Sequence, residues 1–113
     1  MSIEQYFSTG PPHERPVFEA VMAQLADVGP IVVEPVSVGI FLKRARTFAE
    51  LRPMQRWVAV SFSLPRRVRH RLIVRKPIAY GGAYYHVANV AHPDDIDDDL
   101  LGWLVEAYER CPE

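Results

Sequence analysis

The chain has 113 residues, 49% of them hydrophobic and 24% charged, which suits one folded domain and excludes a disordered or low-complexity segment. Its formal net charge of −1 excludes a uniformly basic or uniformly acidic protein. The longest uncharged apolar-rich run, residues 35–42, is far shorter than the ~20 residues that cross a bilayer, so we expect no membrane association. We predict a single domain over residues 1–113, with residues 1–12 as an N-terminal arm.

The charges are distributed unevenly along the chain. Residues 1–42 carry one arginine and five acids, residues 43–76 carry eleven lysines or arginines and one acid, and residues 77–113 carry one arginine and eight acids. This segregation predicts a folded surface with a basic side and an acidic side, which can steer a charged partner toward the protein.

The single cysteine and the N-terminal residues bear on where the protein works. Cys111 cannot form a disulfide within the chain, and no histidine or second cysteine is spaced near it, so we predict a spare thiol. Glu4 stands where a signal peptide needs basic residues, and no apolar segment follows it. We therefore expect a cytoplasmic protein.

The N-terminal third of the sequence predicts a short helical turn and then an amphipathic helix. A turn over residues 3–7 must end at residues 9–12, Thr-Gly-Pro-Pro, because glycine and proline interrupt helices. From Glu14 onward apolar residues recur at spacings of three and four, as on the buried face of a helix, and Gly29 and Pro30 are expected to end it. The apolar stripe consists of Val17, Phe18, Val21, Met22, Leu25 and Val28.

Strand-like segments fill the middle of the chain. They are rich in β-branched and aromatic residues, and Pro, Gly or Ser residues separate them. In residues 56–64, the expected central strand, the even-numbered residues from Val58 to Leu64 are all apolar, which predicts one buried face. The predicted strands cover residues 31–36, 38–43, 47–51, 56–64, 72–74 and 83–91, with a turn at Gly81 and Gly82.

The C-terminal helix is the best-marked element. Asp97 is suited to cap it, Asp98 and Asp99 lie near the positive end of its dipole, and we expect it to extend to Arg110. The fold class is therefore predicted as α+β: an antiparallel meandering sheet of five or six strands with an N-terminal and a C-terminal helix packed on one face. The alternative is a helix-grip arrangement, in which a curved sheet wraps the C-terminal helix around a ligand cavity.

Four local patterns carry a resemblance to a known family. They are Glu4-x-Tyr6-Phe7, Arg46-x-Phe48-Ala49-x-Leu51-x-Pro53, His86 near the start of the last strand, and Ile96-Asp97-x-x-Leu100-x-x-Trp103-Leu104-x-x-Ala107-Tyr108. With these patterns the chain resembles a bacterial domain-of-unknown-function family, number 5655, over nearly its whole length. The matching residues are mostly core and capping residues, so the resemblance implies a shared fold and no particular activity. The arginine-rich residues 66–76 lie outside these patterns.

The arginine-rich segment after the central strand is the first candidate site. Guanidinium groups bind phosphate oxygens through paired hydrogen bonds, and Trp57 or Tyr80 can supply stacking, so we predict an anion-binding face for nucleic acid or phosphate. Three other interpretations stay open: a solvated sheet edge, a salt-bridged contact with the acidic residues 94–99 within the chain, and the same contact between two copies in a homodimer. The predicted anion-binding residues are Arg66, Arg67, Arg69, Arg71 and Arg75, extended by Arg44 and Arg46.

A second candidate site is a small-molecule pocket between the sheet and the helices. His86 is expected to share a strand face with Tyr84, and together with Trp57 these residues would form its polar and aromatic lining. The alternative is a histidine buried in the core with its hydrogen bonds satisfied.

No catalytic, metal-binding or cofactor-binding motif stands out in the sequence. The serines lack a nucleophile elbow, and Gly81-Gly82 is too short to cradle a nucleotide phosphate. Asp95, Asp97 and Asp99 have the spacing of a calcium loop, but Leu100 occupies the position that needs glycine. We therefore predict no cofactor and no metal, and a binding or interaction module rather than an enzyme.

Overall fold

The structure, a computed structural model, describes residues 1–111 and contains three α-helices, one 3-10 turn and six strands. The elements are α1 (Ile3–Phe7), α2 (Glu14–Gln24), β1 (Val32–Val36), β2 (Gly39–Lys43), β3 (Thr47–Pro53), β4 (Val58–Leu64), β5 (Ile78–Tyr80), β6 (Ala83–Val90), the 3-10 turn (Pro93–Asp95) and α3 (Asp98–Glu109).

The six strands form one antiparallel sheet in the order β1-β2-β3-β4-β6-β5. Strands β1 to β4 follow one another as a meander, and β6 then pairs with β4 while β5 takes the outer edge. The two-residue turn between β5 and β6 consists of Gly81 and Gly82, both at positive φ, as a tight hairpin requires. The predicted α+β fold with an antiparallel sheet is confirmed.

One face of the sheet carries the hydrophobic core. The side chains of Val58, Val60, Phe62 and Leu64 on β4 are buried there, as their alternation predicted. The buried side chains of α2 and α3 join the same cluster. The buried side chains of α2 and α3 pack on that first face, whereas Ala59 and Ser61 point the opposite way on β4 and belong to a second face. We call this the helix-free face.

Helix α3 begins where its capping residue predicted. The side chain of Asp97 accepts a hydrogen bond from the backbone N–H of Leu100 at 2.9 Å, and Asp98 and Asp99 occupy the first turn. Helix α2 is shorter than the apolar stripe predicted. It ends at Gln24, and the chain continues as a turn through Val28.

The strand predicted over residues 72–74 is wrong. These residues lie in a loop that spans residues 65–77 and joins β4 to β5. The loop contributes one backbone hydrogen bond to the sheet, from the Asn89 N–H to the Leu72 carbonyl at 3.0 Å, instead of a ladder. The edge strand is instead Ile78–Tyr80, which the Gly81-Gly82 turn places opposite Ala83–Tyr85.

Candidate anion-binding surface

The loop of residues 65–77 wraps around the edge of β6. On the helix side of the sheet, the backbone N–H of Val68 donates to Nε2 of His86 at 3.1 Å, and His70 lies beside Asp97 at the start of α3. The loop meets the edge of β6 at Leu72 and then reaches the helix-free face, where Arg75 lines a cleft. Its arginines therefore do not form a single surface.

Three of the predicted anion-binding arginines in the loop, Arg66, Arg67 and Arg71, contact other side chains of the protein. Arg66 forms two hydrogen bonds with the carboxylate of Glu106 on α3, at 2.7 and 3.0 Å, and these bonds lower the pKa of Glu106. The guanidinium of Arg67 lies 5.1 Å from the centre of the Tyr84 ring.

Arg71 lies 3.8 Å from Asp95, so the loop contacts the acidic residues 94–99 of the same chain, which we call the acidic block. This contact within the chain is one of the interpretations that the sequence left open. Arg69 is exposed and has no ion-pair partner among residues 1–111.

The imidazole of His70 joins the loop to α3. Its Nε2 lies 2.7 Å from Oδ2 of Asp97, and its Nδ1 accepts a hydrogen bond from the backbone N–H of Leu72 at 3.1 Å. Since Nδ1 is an acceptor, Nε2 carries the proton and donates to the carboxylate. The ring also contacts Trp103 edge to face.

His86 is a buried core residue and not the wall of an open cavity. Its ring stacks on Phe62 with the centroids 5.3 Å apart, and burial lowers the pKa of the imidazole. Its Nε2 is occupied by the Val68 N–H, so the ring is a neutral acceptor that anchors the loop. The structure places Tyr84 on the same face as His86, whereas Trp57 lines a cleft on the helix-free face, so the three predicted pocket residues do not line one cavity.

Two clefts open on or beside the helix-free face and adjoin at Ser61 and Tyr85, which line both of them. The first has a volume of about 430 Å³ and extends to the C-terminal end of α3, and the second has a volume of about 400 Å³ and is walled by Trp57 and Val74. Both volumes lie in the ordinary range of ligand sites.

Four exposed arginines line the two adjoining clefts, which together we call the arginine groove. Arg46 and Arg110 line the first cleft, and Arg52 and Arg75 line the second. Arg110 is positioned by a hydrogen bond from its Nη1 to the carbonyl of Ser63 at 3.3 Å.

The predicted extension through Arg44 and Arg46 is divided between two environments. Arg46 lines the groove, and its backbone is tied to Cys111: its N–H donates to Sγ at 3.3 Å, and the thiol donates to its carbonyl at 3.1 Å. Arg44 lies over the ring of Tyr108 at 4.5 Å and donates to the Tyr108 carbonyl at 3.4 Å.

Acidic side chains are nearly absent from the groove. Of the acids in residues 1–111, only Glu34 and Glu50 lie on strands, and the others lie on the helices and their flanking turns. Glu34 is paired with Lys43 at 3.2 Å. Glu50 lines the groove and accepts a hydrogen bond from the Tyr85 hydroxyl at 3.1 Å, while burial raises the pKa of Tyr85. Most of the described acids therefore lie on the helix side, and Glu50 is the one acid that lines the groove.

Several groove residues were not among the predicted site residues. Arg52 alternates with the buried Leu51 along β3, and Tyr85 and Asn89 alternate with buried residues along β6. This alternation, present in the sequence, marks side chains on the second face of a sheet. Arg110 had no such signal, because only packing of α3 against β4 brings it to the groove.

Within residues 1–111, no group of three or more His, Cys, Asp or Glu side chains is arranged to hold a metal ion. In the same part of the chain, no helix combines the length and apolarity that a membrane crossing requires.

The structure is a small α+β domain whose helices pack on one face of its sheet and whose clefts on or beside the other face are lined by arginines. By comparison with family models, the chain belongs to the family described as "Domain of unknown function (DUF5655)", which matches residues 3–110. Neither curated proteins nor solved structures gave a match.

Proposed function

We propose that this protein is a non-enzymatic, cytoplasmic binding module that holds a phosphate-bearing anionic partner in the arginine groove. One observation carries the proposal: four exposed arginines line two adjoining clefts whose only acid, Glu50, is hydrogen-bonded to Tyr85. Of the predicted anion-binding residues, Arg46 and Arg75 line the groove. Arg52 and Arg110 also line it, although the sequence did not predict them.

The chemistry of arginine suits this role. A guanidinium presents a planar fork of N–H donors that matches two phosphate oxygens, and it stays charged at every physiological pH. Since the acids are gathered on the helix side, the electrostatic field directs an anion toward the groove and away from α3. The helix side is a poor anion site, because Arg66 and Arg71 there already face Glu106 and Asp95.

The alternative function, a small-molecule site around His86, has less support from the geometry. The ring nitrogen Nε2 of His86 is occupied by Val68, and Phe62 covers the ring. A ligand would have to displace part of the core to reach this histidine, which costs packing energy.

The test compares two double variants that change the net charge equally. Arg52→Glu with Arg75→Glu reverses charge in the groove, and Arg67→Glu with Arg69→Glu reverses it in the loop on the helix side. Binding of fluorescently labelled inorganic polyphosphate and of a labelled 16-nucleotide single strand is measured by anisotropy at low salt.

We expect the groove variant to lose at least about tenfold in affinity for both probes, since each charge-assisted hydrogen bond contributes roughly 1.5–3 kcal/mol. The loop variant should stay within about threefold of the parent chain. Equal losses in the two variants, or no binding of either probe by the parent, would refute the proposal. Thermal unfolding should change little in the groove variant, because its arginines are exposed.

A further inference from the structure

Aromatic side chains are spaced along the arginine groove. Trp57 lies at one end, Tyr85 lies where the two clefts meet, and Tyr80 lies at the other end. Tyr80 pairs with Ala83, which lies one residue before Tyr84, the partner of Leu64 on β4. Measured along the strands, Tyr80 is therefore about eight residue positions from Trp57. At ~3.3 Å per residue, the aromatic groups extend over roughly 26 Å.

The backbone of Trp57 is held in place, and its side chain is accessible. Its backbone carbonyl accepts a hydrogen bond from the Met54 N–H at 2.8 Å and lies 3.2 Å from the ring nitrogen Nε2 of His13, which fixes the turn before β4. The residue is 37% exposed, and Tyr80 is 83% exposed. Large aromatic groups are usually more buried, and a partner that covers these rings would remove apolar surface from water.

The floor of the groove offers polar groups to a planar ligand. Asn89 lines the same cleft as Trp57, and its side-chain amide has no hydrogen-bond partner among residues 1–111. An asparagine amide provides both a donor and an acceptor, the combination that pairs with the edge of a nucleobase.

From these positions we infer that the anionic partner is a single-stranded nucleic acid, an inference that rests on the proposed function. Its bases stack on Trp57 and along the aromatic groups toward Tyr80, and its phosphates contact the four groove arginines. Asn89 contacts a base edge near Trp57.

A single strand fits these observations better than other polyanions. In a duplex the base faces are stacked inside the helix, so the aromatic rings of the groove would have no role. A phosphate polymer or an acidic peptide would use the arginines but would leave Trp57 exposed. Aromatic platforms combined with a basic track are the arrangement by which proteins bind single strands with little sequence preference.

The test uses the full chain with Trp103→Phe, which leaves Trp57 as its one tryptophan. Unlabelled single strands of about 4, 8 and 16 nucleotides are titrated while the Trp57 fluorescence is recorded, beside an abasic strand of 16 residues, a duplex and inorganic polyphosphate. In the same background, Trp57→Ala removes the platform and Trp57→Phe retains an aromatic ring. Their affinities are measured by anisotropy with a labelled strand.

We expect the base-bearing strand to quench Trp57 and to bind at least about tenfold more tightly than the abasic strand. Trp57→Ala should lose about tenfold for the base-bearing strand and almost nothing for polyphosphate, and Trp57→Phe should recover most of the loss. If the abasic strand or the duplex binds as well as the single strand, or if Trp57→Ala has no effect, the stacking inference is overturned.

The outcome also separates this inference from the proposed function. Equal binding of abasic and base-bearing strands, with both abolished by Arg52→Glu and Arg75→Glu, rejects stacking and retains the anion-binding groove. Base-dependent binding that survives the arginine reversals rejects the groove as the anion site. Absence of binding by every probe at low salt rejects both.

Discussion

At Glu14 a carboxylate is buried beneath the N-terminal arm. The hydroxyl of Tyr6 on α1 donates a hydrogen bond to its Oε2, and Arg15 beside it binds Glu4 at 2.9 Å, so α1 is attached to α2 by polar contacts as well as by packing. Burial raises the pKa of Glu14, and burial together with Glu14 raises the pKa of Tyr6. Glu14, which the sequence predicted only as the first residue of a helix, is thus the most deeply buried acid among residues 1–111.

The raised pKa of Glu14 predicts a pH-dependent contribution to stability. The folded state favours the protonated acid, so this contribution is complete below the unfolded pKa, near 4.5, and is lost as pH rises through the folded pKa. Glu14→Gln imitates the protonated form and should gain stability relative to the parent chain as pH rises. At pH 7 we expect a difference of about 0.5–3 kcal/mol, the ordinary range of single substitutions.

Urea unfolding from pH 4 to pH 8 measures this difference. Glu19→Gln is the matched control, since it removes an exposed carboxylate from the same helix. If the stability of Glu14→Gln parallels that of the parent at every pH, the assigned cause is wrong.

Among the elements, the loop of residues 65–77 is held by side chains rather than by a strand ladder. Asp97 has two roles in this arrangement: its Oδ1 caps α3 through the Leu100 N–H, and its Oδ2 accepts from His70 in the loop. These hydrogen bonds, that of Leu100 most of all, lower the pKa of Asp97. One carboxylate therefore couples the start of the helix to the path of the loop.

Asp97→Ala should release both the helix cap and the loop. We expect a loss of roughly 1–3 kcal/mol, from a cap worth about 0.5–2 kcal/mol and a hydrogen bond worth about 0.5–1.5 kcal/mol. Asp97→Asn keeps an oxygen for the Leu100 N–H but presents an NH2 donor to the Nε2–H of His70, so it should keep the cap and lose only the loop contact, about 0.5–1.5 kcal/mol. Trypsin should cut the alanine variant faster at Arg69, which lies in the loop.

Asp99→Ala controls for the loss of a negative charge in the first turn of α3, which contributes about 0.3–1 kcal/mol. Equal stability and equal proteolysis in Asp97→Ala and Asp99→Ala would show that Asp97 does not anchor the loop.

At the scale of the whole molecule, the charges are separated between two sides. The acids lie on the helices, and the arginine groove lies across the sheet from them. A homodimer that pairs the basic segment with Asp94–Asp99 of a second copy would need acids that already serve their own chain, since Asp95 contacts Arg71 and Asp97 contacts His70. The arginines of the groove have no comparable partner in the acidic block.

This separation predicts how binding depends on salt. If four phosphates meet the four groove arginines, the logarithm of the affinity for a single strand should fall with the logarithm of salt concentration with a slope of about −3, from about −0.7 per contact. Replacing Arg52 with glutamine should make the slope shallower by about 0.7. Anisotropy titrations between 25 and 200 mM salt, roughly the range over which such binding weakens most, give both slopes.

Light scattering on the protein alone serves as the control for the dimer. We expect a monomer at every salt concentration, whereas a dimer held by the acidic block would dissociate as salt is added. Self-association at low salt that Asp94→Asn and Asp98→Asn weaken would favour the dimer.

Short-range sequence patterns were enough to predict much of this fold. The alternation of apolar residues from Val58 to Leu64 predicted the buried face of the central strand, and Asp97 predicted the start of α3, because both signals depend on neighbours only a few residues apart. The strand predicted over residues 72–74 failed: these residues form only one backbone hydrogen bond with β6, from Asn89 to Leu72, and the ladder on that edge is formed by Ile78–Tyr80 beside the turn at Gly81 and Gly82.

By itself, then, the sequence determined the α+β class, the antiparallel sheet, the two main helices and the concentration of positive charge in the middle of the chain. Only the tertiary structure decided which of those charges are available. Arg66, Arg67 and Arg71 are neighbours of Arg75 in the chain, yet the loop crosses the edge of β6 between them and puts them on opposite sides of the sheet. Arg46, Arg52 and Arg110 come from distant segments and meet Arg75 along one groove. A pattern along the chain records which charges exist, but contacts between distant residues determine which are neutralised and which face a partner.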